Sequence, residues 1–504
     1  MQTRESTSSL SGPTLPPVGF DLRLAVIVSL VVLLGAPPFL FGYLSRYTQN
    51  PDPFIYAQVA KEVLSGRRLY TETWQDKPPL AYVAYALPQL VVPRSYGAIA
   101  IFGGICVAIT GALYAYLFRG NPAAMLAVAL FLSLFPMTYW DYTWPSTELF
   151  ANVFVAGNLL LALAIYRDKR FSLVQCALVG VLACLAFHVR QNTVFCALIP
   201  ALAVWKARPP RRTLVFALGA TLFGALAAWI VILALLVRVG DLNMYFWTVF
   251  VYSRSFAAVG SYAEFVQLWW HLWMSPLPVI IALFACLAAS RRQDTLFVVS
   301  IVSVGLLAAS CPLRVHAHYW ACSFPYVALL IGIGMQRVSE IAGRLAWNLT
   351  IALALVLLPA TVLQVAMSTA YYDRYDKFAV LAETVDRLVP GDGTLFVCGR
   401  GQMEAVQFAS RLRAANTFEW TFQFREPWVG ILPTPLEEII EQYLASPPDV
   451  IVAARDLVAL AATEPEPNGL TGDVRLLAAL TKRHRYTVVD EQGDFVIALR
   501  TPVP

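Results

Sequence analysis

The stretch NPDPFIYAQVAKEVLSGRRLYTETWQDKPPL, residues 50–80, decides how this chain is read. It follows an apolar run from Leu24 to Gly42 and is itself too polar to cross a bilayer. Asp52 and Pro53 open a helical pattern: an aspartate suits the N-cap, a proline the first helical position, and Gly66 stops the run. Ile55, Val59, Val63 and Leu64 share one face, which predicts a helix lying on the outer membrane interface. The stretch then reaches Trp74-Gln75-Asp76-Lys77-Pro78-Pro79, where a stiff turn holds a lysine. A carboxylate and a lysine just beyond a first membrane helix are the parts of a reaction at the membrane surface.

The 504 residues are 58% hydrophobic and 14% charged, against about 25% charged in an average soluble protein. That deficit and the repeated apolar runs predict a polytopic α-helical membrane protein. About eleven spans fit the ~20 residues a crossing needs: near 24–42, 96–118, 123–140, 149–166, 171–188, 192–205, 213–237, 273–290, 295–311, 320–336 and 345–367. The sixth is short enough to be a hairpin partner of the fifth. Arg119, the run 167–170, KARPPRR at 206–212, RRQD at 291–294 and Arg337/Arg344 fall on one side, cytoplasmic by the positive-inside rule. The first outer loop is then 43–95. Residues 1–21 are read as a disordered cytoplasmic tail and 22–370 as the transmembrane domain. Residues 371–504 are read as an extracytoplasmic (periplasmic) α/β domain, with strands at 395–398, 450–452, 487–489 and 495–499 and helices at 404–412 and 435–444. VCGRGQ at 397–402 lacks the dinucleotide and Walker patterns and is read as a strand-to-helix turn. The eight cysteines form no CxxC pair and read as small buried hydrophobes. The net charge of +5 is small and unevenly placed, which says little about nucleic acid and helps with orientation.

Polar residues at span ends gather on the outer side, and ionisable groups at membrane depth mark a pathway or a site. Asp52 either caps its helix or acts as a general base, and the two roles are compatible. Lys77 is either an interfacial lysine with its head in water or a phosphate ligand, with Asp76 beside it as a partner. Asp141 and Glu148 flank the fourth span in WDYTWPSTELF. Ser146 and Glu148 suit a helix start, and the alternative is a second acidic group orienting an acceptor. Arg190 in HVRQN and Arg314 in RVHAHY suit phosphate. His316 and His318 are two apart and share no helix face, so His318 and Tyr319 are read as hydrogen-bonding groups rather than metal ligands. No His/Cys/Asp/Glu spacing forms a metal set; a divalent metal is possible but not indicated. The aromatic loop 238–272 is either an interfacial belt or a lid over sugar or lipid.

The pattern resembles the C-type membrane glycosyltransferases that use polyprenyl-phosphate sugars, among them protein O-mannosyltransferases and lipid A aminoarabinose transferases. Four motifs carry the resemblance, which spans roughly residues 22–340: the acidic loop with YAQVAKEVLSGRRLY and WQDKPPL, WPSTELF, HVRQN, and RVHAHYWACSFPY. It implies Asp52 as catalytic base and Lys77 as donor-phosphate ligand. Glu148 would be the second acidic position, and Arg314, His318 and Tyr319 would contact donor phosphate or sugar. Many relatives have Asp-Glu in the first loop; here Pro53 follows the aspartate, so any role of the neighbouring carboxylate falls to Glu72, Asp141 or Glu148.

The function implied is an inverting transfer of a sugar from a polyprenyl-phosphate donor to a hydroxyl on a lipid, glycan or protein. It would take place at the outer face of a bacterial inner membrane, among membrane lipids and without nucleic acid. The alternative is a flippase or transporter of a lipid-linked sugar. That class predicts charged or broken helices at the membrane midplane and a repeated half, neither of which is visible in the sequence.

Overall fold

The structure is a computed structural model. It describes residues 52–501 except 140–144, 259–261, 274–276, 290–293, 312–316, 372–374, 390, 400–402, 418–423, 425–428 and 464–470. The N-terminal tail and the expected span 24–42 lie outside the described residues.

Among the described residues four helices are long and apolar enough to cross a membrane: Tyr96–Leu117, Thr147–Asp168, Arg211–Val239 and the run Tyr319–Ala352. Shorter apolar helices stand beside them at Pro79–Val91, Pro122–Ser133, Leu173–Val189, Leu277–Ala288 and Thr295–Ser310. Helix Arg211–Val239 exposes Val215, Phe216, Leu222, Phe223, Ile230, Val231 and Leu235. A helix apolar nearly all round and bare on the outside belongs in lipid.

The sixth expected span is, as its length allowed, not a full crossing: a 3₁₀ turn, Gln191–Ala197, is followed by helix Leu198–Lys206, too short to cross alone. The tenth and eleventh are two helices within Phe324–Tyr371, parted by a kink at Ala342 (φ −144°, ψ 45°). One expectation changes. Helix Pro79–Val91 lies inside the segment expected to be an outer loop and exposes Val83, Leu87, Leu90 and Val91.

Helices Leu173–Val189 and Arg211–Val239 meet through glycine. A Cβ on Gly180 would collide with the Thr221 carbonyl, and one on Gly224 with the Ala177 carbonyl. In lipid no hydrophobic drive holds helices together, so close backbone approach through small residues supplies the packing.

Helix Asp52–Leu64 takes in Asp52 itself, expected as the cap before it, and Gly66 (φ 96°) ends it in the left-handed conformation that glycine adopts without strain. It does not lie on the interface. Pro53 through Ala60 and Glu62 are all buried. Gln89 donates to the Ala57 carbonyl from below (3.0 Å), and residues from the C-terminal part of the chain cover the other side. An apolar stripe specifies a buried face, and here protein rather than lipid buries it.

From Tyr375 onward the chain forms a five-stranded mixed sheet in the order β2-β1-β3-β5-β4, with β1 Thr394–Cys398, β2 Arg413–Ala414, β3 Val450–Ala454, β4 Tyr486–Gln492 and β5 Phe495–Arg500. β1 runs parallel to β2 and β3; β5 is antiparallel to β3 and β4. The apolar runs LFVC and VIVAA are the buried central strands. β1 leads to helix Glu404–Ala409, so VCGRGQ does join a strand to a helix.

The Gly180 crossing yields a prediction. Gly180→Leu should lower the apparent melting temperature of detergent-solubilised protein by several degrees, an overpacking cost of about 1–3 kcal/mol. Ala183→Leu, one turn along the same helix, provides the reference for an ordinary buried site. Equal melting temperatures for Gly180→Leu and the wild type would mean the helices do not cross there.

Candidate active site

Of the polar residues singled out in the sequence, Asp52, Lys77, Glu148, Arg190 and Tyr319 converge at one end of the helix bundle. Asp52 opens its helix half-buried but surrounded by protein. One turn on, the Tyr56 hydroxyl donates to Asp52 Oδ2 at 3.3 Å. Lys77 Nζ stands 5.4 Å from the centre of the Tyr56 ring, so Tyr56 lies against both ends of the expected pair. Burial pushes the Asp52 carboxyl up to about 6 by stripping water from its charged form; Lys77 and Arg190 oppose this, and Asp76 and Glu148 add to it. Tyr56 is pushed well above the usual phenol range, first by burial and then by Asp52, so it stays protonated as a donor.

Lys77 is fixed by its own peptide group. Its N–H donates to the Tyr82 hydroxyl (3.1 Å), and its carbonyl accepts from the Tyr70 hydroxyl (2.8 Å). Tyr70 is held at φ 72°, which non-glycine residues seldom adopt, and its N–H donates to the Thr73 carbonyl (2.7 Å). The ammonium pairs with Asp76 Oδ2 at 2.8 Å. Trp74 anchors the turn from beneath, donating to Thr248 Oγ1 (2.9 Å) and meeting the Tyr252 ring edge-on at 5.1 Å. The aromatic loop is therefore in part a seat for WQDK, with Tyr245 and Tyr252 fully buried.

Glu148 and Arg190 form a second pair, buried at 3.0 Å. Glu148 lies in the first turn of helix Thr147–Asp168; Ser146 occupies the N-cap position but makes no side-chain cap bond, contrary to the expected motif. Arg190 ends helix Leu173–Val189 and lies over the Tyr319 ring at 4.6 Å. Asn192 donates to the Ala308 carbonyl, which ties this corner to helix Thr295–Ser310.

A cavity of about 300 Å³ opens here, lined by Asp76, Lys77, Arg190, Gln191, Asn192, Ser253, Arg254 and Tyr319, with Phe195, Phe256, Ala257 and Cys311 as its apolar wall. Asp52 and Glu148 do not line it. Each reaches it through a partner that does, Asp52 past Tyr56 to Lys77 and Glu148 through Arg190. Arg254 went unnoticed in the sequence. It follows a π-helical turn, Trp247–Tyr252, of the kind that often marks functional sites. It is exposed at the cavity and pairs with no acidic side chain among the described residues. The signal was there: Arg254 is the only lysine or arginine between Arg238 and Arg291.

Asp141 and Arg314 lie outside the described residues. His318 belongs to the 3₁₀ turn Ala317–Ser323, and its side chain is not among those described. Among the described residues no three His, Cys, Asp or Glu side chains are grouped as a metal site would need.

Asp52 makes the fold pH-sensitive in a stated direction. Its folded pKa stands above the ordinary carboxylate value of about 3.9, so the folded state holds the proton more tightly. That contribution is complete below pH ~4 and is lost as pH rises through about 6. Asp52→Asn should therefore raise the melting temperature at pH 8, by the equivalent of about 3 kcal/mol, and by only about a third of that at pH 4.5. A destabilised variant at pH 8 would contradict this electrostatic account.

No protein-family model matches the chain, and no curated protein matches it. Solved structures do. ArnT from Cupriavidus metallidurans superposes in its apo state with a TM-score of 0.57 at 12% identity, covering 94% of this chain and 98% of ArnT. The same enzyme bound to undecaprenyl phosphate gives 0.57 at 13%, covering 95% and 98%. The Archaeoglobus fulgidus oligosaccharyltransferase AglB, in complex with an inhibitory peptide and a dolichol-phosphate, gives 0.48 at 10%, covering 95% of this chain and 76% of AglB. Across nearly its whole length the chain shares the fold of ArnT.

Proposed function

We propose that this chain is an integral-membrane glycosyltransferase acting on a polyprenyl-phosphate sugar at the extracytoplasmic face of a bacterial inner membrane. The observation that carries the reading is the stacking of Asp52, Tyr56 and Lys77 beside a cation-rich cavity with an apolar wall. An amphiphile fits such a cavity, its phosphate among the cations and its first isoprene units along Phe195 and Phe256. The ArnT fold, in a protein captured with undecaprenyl phosphate, supports the same donor class.

The chemistry needs one displacement. Asp52 takes the proton of an acceptor hydroxyl as that oxygen attacks the anomeric carbon. The bond from that carbon to the phosphate oxygen breaks, its electron pair leaves with the phosphate, and the configuration inverts. Lys77 and Arg254, with Arg190 behind them, stabilise the charge that develops on the leaving group. A phosphate leaves without prior protonation, so no catalytic acid is required. A carboxyl near 6 suits a base at neutral pH: it is mostly ionised and still more basic than an ordinary aspartate.

The test uses purified protein in liposomes with a polyprenyl-phosphate pentose or hexose and extracted envelope lipid, glycan or protein as acceptor. Asp52→Asn should cut turnover by at least ~10³-fold while donor binding persists, since a general base and its orientation supply terms of this order. For the wild type, kcat/KM should fall tenfold per pH unit below about 6 and level off above 7. Full turnover by Asp52→Asn would sink the mechanism. Lys77→Met and Arg254→Met should each weaken retention of the bare polyprenyl phosphate, read by a pull-down with labelled lipid. Unchanged retention in both would remove the phosphate from this cavity.

A further inference from the structure

The helix that carries Asp52 is clamped by the C-terminal part of the chain through one short segment, residues 407–417. Lys61, on the same helix, donates to three main-chain carbonyls at once: Gln407 (2.8 Å), Ser410 (3.0 Å) and Leu412 (3.2 Å). An ammonium has three donors. Here all three are satisfied by carbonyls at and just beyond the C-terminus of helix Glu404–Ala409, where backbone acceptors are left over and the helix dipole favours a cation. Next to it, Glu62 and Arg67 pair at 3.4 Å and serve the two free backbone groups of Ala414. The Ala414 N–H donates to Glu62 Oε1 (3.1 Å), and its carbonyl accepts from Arg67 (2.9 Å). Ala414 lies on β2, the edge strand, whose other side bonds β1 through Arg413 and Ala415. The acid–base pair therefore finishes the sheet edge as a neighbouring strand would.

The same segment reaches the lysine arm. The Thr417 carbonyl accepts from the Trp74 N–H (2.9 Å), and Thr417 Oγ1 donates to the Thr71 carbonyl (3.0 Å). Phe408 packs on Phe54, two residues from Asp52, with centroids 6.0 Å apart. One segment thus holds both the helix that begins with Asp52 and the turn that ends in Lys77.

We propose that Lys61 is a positioning residue: by gripping segment 407–417 it holds Asp52 in place against Tyr56 and Lys77. This rests on the reading of Asp52 as the base. The C-terminal unit thereby becomes part of the catalytic apparatus rather than a detachable receptor for the acceptor. Lys61 itself points away from the cavity and touches neither reacting group.

The groups facing Asp52 are Tyr56 on its own helix, Asp76 and Lys77 in the turn, Tyr85 on helix Pro79–Val91, Glu148, Arg190 and Tyr319. Lys61 is not among the charges that shift the Asp52 carboxyl, so a change at Lys61 acts on Asp52 through the position of the helix. Releasing the helix lets water reach the carboxyl, and its pKa then falls toward the ordinary value.

The experiment compares wild type, Lys61→Met and Lys61→Arg in detergent or liposomes. Amide hydrogen exchange, which needs no substrate, should rise across residues 52–64 and 407–417 in Lys61→Met and stay unchanged in helix Arg211–Val239. In the activity assay kcat should fall on the order of tenfold or more with donor KM changed less than about twofold. The acid limb of the pH profile should move down from about 6 by roughly one unit. Lys61→Arg should rescue little, because a planar guanidinium cannot aim three donors at three carbonyls around one point. If Lys61→Met does not fold, Lys61→Gln, which keeps one amide donor group, takes its place with smaller shifts in the same direction. Wild-type exchange together with a wild-type acid limb in the folded variant overturns the proposal. A fully active Asp52→Asn defeats the functional reading instead, and the exchange result still decides whether Lys61 holds the helix.

Discussion

The cost of putting a carboxylate where water is scarce governs this end of the molecule. Asp52 is surrounded by protein, and burial raises its pKa by disfavouring the charged form, against the pull of Lys77 and Arg190. Other charges can be accommodated nearby only if each is matched. Arg190 is matched by Glu148 and Lys77 by Asp76, both at hydrogen-bonding distance. Breaking such a pair leaves one buried charge uncompensated, which costs more than the intact pair contributes. The cation without a described acidic partner, Arg254, stands where water still reaches it. Pairing inside and hydration at the rim produce a cavity that is polar but not self-neutralised, the condition for capturing an anion from the membrane.

The helices explain why this chemistry sits at one end. Within a span the backbone satisfies itself, and side chains face either lipid or one another. At a helix end, carbonyls and N–H groups are left over and the chain turns. Glu148 occupies a helix start, Arg190 a helix end, Asp52 the first residue of its helix, and Lys77 a turn gripped by two tyrosine hydroxyls. The irregular backbone gathers here as well: the 3₁₀ turn after Arg190, the π-helical turn before Arg254 and the left-handed Tyr70. The middle of the bundle needs no such variety. There the glycine contacts of helices Leu173–Val189 and Arg211–Val239 bring backbones together and keep the ends in register.

How much of this could be read from residues alone follows from the same physics. Asp52, Lys77, Glu148 and Arg190 stood out because ionisable groups at the ends of apolar spans are anomalous, and the structure brings all four together. Arg254 escaped because the ten aromatic residues of its loop, 238–272, suggest an interfacial belt and outweigh one cation. The strands LFVC and VIVAA were legible as short apolar runs, whereas β2, two residues long, has no pattern to detect. Helices Tyr375–Leu388 and Gly472–Arg483 were passed over although both are amphipathic. Helix Pro79–Val91 was hidden by its prolines at 79 and 88, which argue locally for a loop. For helix Asp52–Leu64 the stripe gave the buried face correctly and its partner wrongly. Periodicity records that a surface is covered; it does not record whether lipid or protein covers it.

That last error shows how the two halves of the chain depend on each other. Lys61 and Glu62 lie off the apolar stripe Ile55, Val59, Val63 and Leu64, and both are engaged by backbone groups more than 340 residues away in sequence. Had the helix lain on the bilayer surface, these side chains would have faced water and the edge of β2 would have remained unpaired, an open invitation to aggregation. Docked as it is, each side completes the other: the helix gives the sheet an edge partner through Glu62 and Arg67, and segment 407–417 gives the helix a grip at Lys61 and a ring, Phe408, against Phe54. A part of the chain that contributes no residue to the cavity thus sets where the helix beside that cavity lies.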